Sequence, residues 1–396
     1  MLAPGFHDPR IAYMWLKTLA LAGWIALGVT PSPPQPNQAE QAFAEAVSEA
    51  DLRRSVRELV AFGPRMGGTP SNEKSAAYIA AHFRKLGLEV SVVDDDPELA
   101  HWEDGWRVEL EDGGVVESAY PLGFSPSVAA GTRGRLLFVA DLRRAAPEAS
   151  WKGRVIYTES EVGGSYEAIA ASGFHPVAII TSAPNDPGRY VDWSRIGSLP
   201  ARANNPVPGF AVSYVDGRSL RAAAALGRSV AVRLTATIRE GRPRTVIATL
   251  PGRDRESYFL VCAHGDSDSG GPGADDNASG VATVMEIARL FATSVRARTL
   301  PAPGQSIRFA VWGTEYASAR AYIEREGERL RRLKGVINFD QTGTGAEREA
   351  IYFESNEVPW NEPLLRTLER VGADYLNRPG FWTEYATNPS PSRPGR

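Results

Sequence analysis

Residues 264–280 read HGDSDSGGPGADDNASG, and no other stretch of the chain gathers a histidine, four aspartates and five glycines so closely. Imidazole nitrogen and carboxylate oxygen are the donors that suit zinc or a similar divalent ion. Asp266, two residues beyond His264, can accept the free imidazole N–H and fix the tautomer. The glycines let the chain fold back, so that Asp275 or Asp276 reaches the same point as His264. Two further acidic residues stand at the ends of apolar runs: Glu315 after SIRFAVWGT and Asp340 in GVINFDQTG. A phosphate loop is a poor reading, because the Lys-Ser/Thr ending is missing and four carboxylates repel an anion. A calcium loop is also poor: DSDSGGPGADDN lacks the D-x-D-x-D-G spacing with a closing glutamate, and it leaves His264 without a role.

The elements that must position these residues can be read on either side of them. TVIATLPG, SYFLVCAH, SIRFAVWGT and GVINFDQTG are strand-like, and ASGVATVMEIARLFA and ASARAYIEREGERL are helix-like. Apolar strands alternating with helices imply a sheet covered on both faces, with function at the carboxyl ends of its strands. Upstream, DLRRSVRELVAF places Leu52, Val56, Leu59 and Val60 on one helical face. Thr69 and Pro70 start a second helix that turns Tyr78, Ile79 and Phe83 to a core and stops at Gly87, before the strand LEVSVV. From about 120 to 240 the texture changes to short β-rich runs with one helix around YEAIAASG. The expected fold is therefore α/β, a mixed, mostly parallel sheet flanked by helices on both faces, with a small β-rich domain inserted at 120–240. The main domain takes residues 48–119 and 241–387, after a linker and helix start at 31–47, and an irregular tail fills 388–396.

At 396 residues with a formal net charge of −3 and no long block of like charge, the chain has room for two or three domains and no electrostatic footprint for nucleic acid. A peptide or small molecule is the expected partner. The single cysteine, Cys262, excludes a disulfide within the chain. Trp15 to Val29 is apolar apart from Lys17 and Thr18 and precedes the proline-rich TPSPPQPNQ. That pattern fits a secretory signal over residues 1–30, with Met14 as an alternative start, and predicts a secreted or periplasmic protein. An uncleaved anchor is the alternative and the only expected contact with a membrane.

AHGDS followed by GPGADDNASG resembles the signature of the family-28 metallopeptidases, the dizinc aminopeptidase and glutamate carboxypeptidase II-like family. VAFGPRMGGTPSNEKSAAYIAAHFRKLGLEV, RFAVWGTEYASARAYI and VINFDQTGTG resemble its other segments, in the same order. YEAIAASGFHPVAIITS and VPGFAVSY resemble the protease-associated domain that many members carry as an insert. The resemblance covers residues 48 to 345. It implies two zinc ions sharing one aspartate, with a glutamate as general base. By that resemblance His264 is the first ligand, Asp276 the shared aspartate, Asp340 the second carboxylate ligand, Asp266 the partner of the imidazole and Asp275 a residue that orients the loop.

Two departures bear on activity. The family carries W-x-x-E-E, the first glutamate acting as base and the second as ligand, whereas this chain reads WGTEY. An ungapped count, which we prefer, puts Glu315 at the base and Tyr316 at the ligand position; a gapped count makes Glu315 the ligand and leaves Thr314 at the base. The family's last ligand is a downstream histidine, and no histidine follows His264 here. The ending GFWTEYATNPSPSRPGR reads as cut short or shifted in frame near Asn388. The expected function is zinc-dependent hydrolysis of peptide bonds, as an aminopeptidase. The alternative is an impaired relative that acts as a binding module.

Overall fold

The structure is a computed structural model that describes residues 38–183, 197–267, 271–343 and 362–376. The apolar run at Trp15–Val29 and the tail from Gly380 lie outside the described residues.

After α1 (Gln38–Glu45), Ser48 and Thr69 each sit in extended backbone ahead of a helix and accept a hydrogen bond from the backbone three residues on, at Asp51 and Asn72. They start α2 (Glu49–Ala61) and α3 (Pro70–Lys85), and Pro70 fits the first turn because no N–H partner is needed there. Leu52, Leu59, Ile79 and Phe83 are buried in one cluster, against which Val56, Val60 and Tyr78 pack. The predicted helical faces are those that face the core. Beyond α3, Gly87 takes a φ of +82° and turns the chain into β1 (Glu89–Asp94).

Replacing Thr69 by alanine removes the cap at Asn72 and the bond that its hydroxyl donates to the Met66 carbonyl. The cost is expected to be about 1 kcal/mol, or about 2–4 °C in Tm for a unit of this size. A thermal melt checks it, and an unchanged Tm would show the cap to be redundant.

The chain then leaves for a second sheet, made of β2 (Glu98–Leu110), β3 (Tyr120–Pro121), β4 (Val128–Val139), β5 (Arg154–Thr158), β6 (Ala178–Thr181), β7 (Gly209–Ala211) and β8 (Ser229–Gly241). Its order is β2-β8-β4-β5-β6-β7-β3. β2 and β8 pair antiparallel from Glu98–Gly241 to Leu110–Val230, so the chain enters and leaves this unit side by side. The sheet thus begins at Glu98, ahead of the change in texture near residue 120, because β2 is rich in charged residues and has few fully buried positions. Two helices cover it among the described residues, where the sequence reading gave one. α4 (Gly163–Ala171) packs Tyr166 and Ile169 into one cluster, and α5 (Tyr214–Ala225) packs Leu220 and Ala223 into another. The missed helix had a signal, since Ser213 caps it by accepting from the Asp216 backbone.

The first sheet resumes with β9 (Arg244–Leu250), β10 (Asp254–His264), α6 (Gly280–Ala297), β11 (Gln305–Trp312), α7 (Glu315–Glu326) and β12 (Leu333–Asn338), followed by α8 (Glu362–Leu376). Its order is β1-β9-β11-β10-β12. β11, β10 and β12 run parallel, whereas β9 is antiparallel to both β1 and β11, which makes the sheet mixed. α2, α3 and α6 cover one face, where Val281, Val284, Ile287 and Phe291 of α6 are buried against Val261, Phe309 and Ile337. Tyr322 of α7 covers the other face, over Tyr258, Leu260, Ala310 and Trp312. No helix among the described residues is long and apolar enough to cross a membrane.

Candidate metal centre

Register carries two of the expected residues, His264 and Asp340, to one end of the sheet. His264 is the last residue of β10 and pairs with Trp312, the last of β11. Cys262 pairs with Asn338 on β12, so Asp340, two residues past Asn338, stands level with His264, two past Cys262. The Phe339 N–H bonds the Cys262 carbonyl at 2.8 Å and extends this pairing towards the site.

Asp276 arrives by the fold-back of the glycine-rich loop. Gly273 sits at φ +51°, and a Cβ there would lie 2.1 Å from the Asp276 carbonyl oxygen and 2.5 Å from the Ser267 Cβ. Only glycine fits both that backbone and that contact. The Asp276–Asn277 peptide is cis. Asn277, 0% exposed, donates to the Phe339 carbonyl at 2.9 Å and accepts from the Gly280 and Gln341 N–H groups at 2.9 and 3.3 Å. One amide therefore ties the loop to the segment that carries Asp340. Asp275 turns away, its Oδ1 accepting the Gly343 N–H at 3.0 Å.

The side chains then meet. His264 Nε2 lies 3.1 Å from Asp276 Oδ1 and 3.4 Å from Asp340 Oδ1, and one ligand atom from each of the three residues falls within 4.8 Å of the others. On the other side of the ring, Nδ1 lies 3.0 Å from Asp266 Oδ1. One imidazole nitrogen and two carboxylate oxygens, with the second ring nitrogen held by a carboxylate, is a donor set that fits zinc. The imidazole is buried, while both carboxylates open to solvent.

Burial opposes charge on His264, but hydrogen bonds with Asp266, Asp276 and Asp340 outweigh it and push its pKa up to about 12. At neutral pH these carboxylates hold the imidazole as a cation. A divalent ion taking Nε2 must displace that proton, so zinc affinity is expected to fall as pH falls, with about one proton released per ion near neutral pH. Calorimetry in buffers of different ionisation enthalpy measures the release. An affinity that does not change between about pH 6 and 8 would contradict it.

Glu315 is placed differently. β11 ends at Trp312, Gly313 makes the turn, and Glu315 opens α7 behind its cap residue Thr314. The turn is pinned from two sides: Gly313 N–H bonds the Thr245 hydroxyl at 3.0 Å, and Asn72 donates to the Gly313 carbonyl at 3.1 Å. Glu315 is not one of the three clustered residues. Its carboxylate bonds the hydroxyl of Tyr316, which is 75% exposed. That bond, with the charges of Glu315 and Asp340, raises the phenol's pKa, and His264 pulls the other way. Tyr316 thus stands next to the site.

Two residues that motif reading passed over border the site. Glu98 of β2 accepts the Thr314 hydroxyl at 3.2 Å, and burial, with the charges of Asp266 and Asp95 beside it, raises its pKa. Arg65, 0% exposed, reaches the loop from the segment between α2 and α3. Nothing in one sequence distinguishes Arg65 from the chain's many surface arginines.

Residues 245–386 match the model of Peptidase family M28. A probable lipoprotein aminopeptidase of Mycobacterium tuberculosis, LpqL, is 28% identical over 345 residues, which cover 80% of this chain and 64% of that protein. Aminopeptidase YwaD of Bacillus subtilis is 24% identical over 350 residues, covering 80% of this chain and 68% of the relative. Matched leucine aminopeptidases of Arthroderma otae and Trichophyton rubrum are covered over only 39% and 40% of their lengths, so the chain spans less than two thirds of several relatives. The fold is that of a Peptidase M28 precursor from Shewanella amazonensis, at a TM-score of 0.65 and 20% identity over 85% of this chain and 79% of the other. It is similar too to a zinc aminopeptidase from Bacillus subtilis, at a TM-score of 0.56 and 22% identity over 83% and 77% of the two chains. The His-Asp-Asp group and the match to the model of Peptidase family M28, over residues 245–386, fall on the same strands and loops.

Proposed function

We propose that the protein is a zinc-dependent aminopeptidase that hydrolyses the N-terminal bond of peptides. The observation that carries this reading is the His264, Asp276 and Asp340 group at the carboxyl end of the sheet. These residues would hold one resident zinc ion, and Asp266 would keep the Nδ1 proton of His264, so that Nε2 is the nitrogen that gives up its proton to the ion. A second ion, which the family resemblance implies, would find the Tyr316 phenol where that resemblance has a carboxylate. When bound, zinc supplies Lewis acidity, which acidifies water and polarises a carbonyl. Glu315, outside the ligand group, takes the proton from the attacking water and passes it to the leaving amine nitrogen. The unit from Glu98 to Gly241 corresponds to the protease-associated insert, and Glu98 at its start brings it to the rim of the site. The protein works outside the cytoplasm, exported by the apolar segment at residues 15–29.

One observation favours a second reading. Tyr316 at a ligand position fits a relative that has kept the shell and lost turnover. Aminoacyl p-nitroanilides with a free or an acetylated amine separate the readings. Zinc-dependent release from the free amine alone supports the aminopeptidase, whereas zinc binding without release from either supports the binding module.

A further inference from the structure

We propose that Arg65 is a positioning residue for the metal centre, whose guanidinium sets zinc affinity by fixing both ends of the glycine-rich loop. The inference rests on the metal-site reading above and assigns a function to a residue outside the ligand set.

The geometry is specific. Arg65 Nε donates to the Gly265 carbonyl at 3.3 Å, immediately after His264. Nη1 donates to the Pro272 carbonyl and, at 3.2 Å, to the Leu59 carbonyl at the end of α2. Nη2 donates to the Gly273 carbonyl at 3.1 Å, and that same oxygen accepts the Ala278 N–H across Asp275 and Asp276. The backbone N–H of Arg65 bonds the Ser267 hydroxyl at 2.8 Å, and that hydroxyl donates to the Gly271 carbonyl at 2.9 Å. One planar fork therefore spans the two flanks of the loop and anchors them to a helix some 200 residues away in sequence.

Such a fork is wasteful unless the loop's shape matters. A buried guanidinium gives up hydration, and burial pulls this one down to about 10, against the favourable charges of Asp266 and Asp276. The acceptors are backbone carbonyls on both sides of the ligands, so the fork fixes the distance between the His264 and Asp276 flanks. Lysine keeps the charge but cannot bond several carbonyls in one plane.

The test compares zinc Kd, by competition with a chelating dye, with the Tm of the metal-free protein, in Arg65→Lys, Arg65→Met and Ser267→Ala. Arg308→Met is the control for general destabilisation. Arg308 is a half-buried arginine paired with Glu326 at 2.9 Å and the Tyr322 hydroxyl at 2.9 Å on the opposite face of the sheet. Arg65→Lys is expected to weaken zinc binding about 10- to 100-fold, with Ser267→Ala weaker in the same direction. Arg308→Met should lower Tm and keep the wild-type Kd. If Arg65→Met does not fold, Arg65→Lys and Ser267→Ala decide the matter. Wild-type Kd in both would overturn the inference, as would an equal loss of affinity in Arg308→Met. Absence of zinc binding in the wild-type protein would instead remove the metal-site reading.

Discussion

His264→Ala is expected to weaken zinc binding tens- to several hundred-fold and to abolish zinc-dependent hydrolysis at any practical metal concentration. Structural zinc sites bind with about 10–16 kcal/mol shared over four ligands, so one ligand is worth about 2.5–4 kcal/mol, which is about 60- to 700-fold in Kd. The deletion also takes away the cation that faces Asp276 and Asp340 at 3.1 and 3.4 Å. Chelator competition on the variant measures the effect, with circular dichroism to confirm the fold. A wild-type Kd in His264→Ala would remove this histidine from the metal centre.

Glu315→Gln should behave in the opposite way towards metal. Glutamine keeps the size and the hydrogen-bonding reach to Tyr316 but cannot take a proton, so kcat is expected to fall about 100- to 10,000-fold with zinc content unchanged. This variant also decides between the two alignments of WGTEY. If Glu315 were a ligand, Glu315→Gln would lose zinc as His264→Ala does. Retained zinc with lost turnover identifies the base, and lost zinc identifies the ligand. Undiminished turnover would exclude both roles and leave Glu315 as the first carboxylate of α7, favoured by the helix dipole.

The legible part of this molecule was its period and its punctuation. Thr69, Pro70 and Gly87 mark the ends of α3 by their own backbone preferences, and α3 lies between them. The strand ends at His264 and Trp312, and Asp340 just past β12, could be found because apolar runs give way there to polar residues. Sheet order was not legible, since β9 pairs with β11 across the intervening β10 and nothing local encodes that crossover. The start of the second sheet at Glu98 was hidden by a strand of mixed polarity, whose pairing with β8 is set more than 100 residues away. α5 was hidden by its alanines and by Gly217, although its cap at Ser213 was visible.

The site divides in the same way. His264, Asp266 and Asp276 share one short segment, so their type and spacing announced them. The two hydrogen bonds that tie Asn277 to the segment carrying Asp340 run to Phe339 and Gln341, 62 and 64 residues distant. Arg65 is further still from the loop it holds, and only burial distinguishes it from other arginines. Long-range hydrogen bonds to backbone carbonyls leave no trace in residue type, which is why the clustered His264, Asp276 and Asp340 could be picked out in the sequence and Asn277 and Arg65 could not.

Equilibrium dialysis of the purified protein against zinc, in parallel with Asp276→Asn, addresses the metal centre most directly. A saturable, tightly held ion in the wild-type protein that is lost in Asp276→Asn is the expected result. No saturable binding in the wild-type protein, or binding that Asp276→Asn leaves intact, would contradict it.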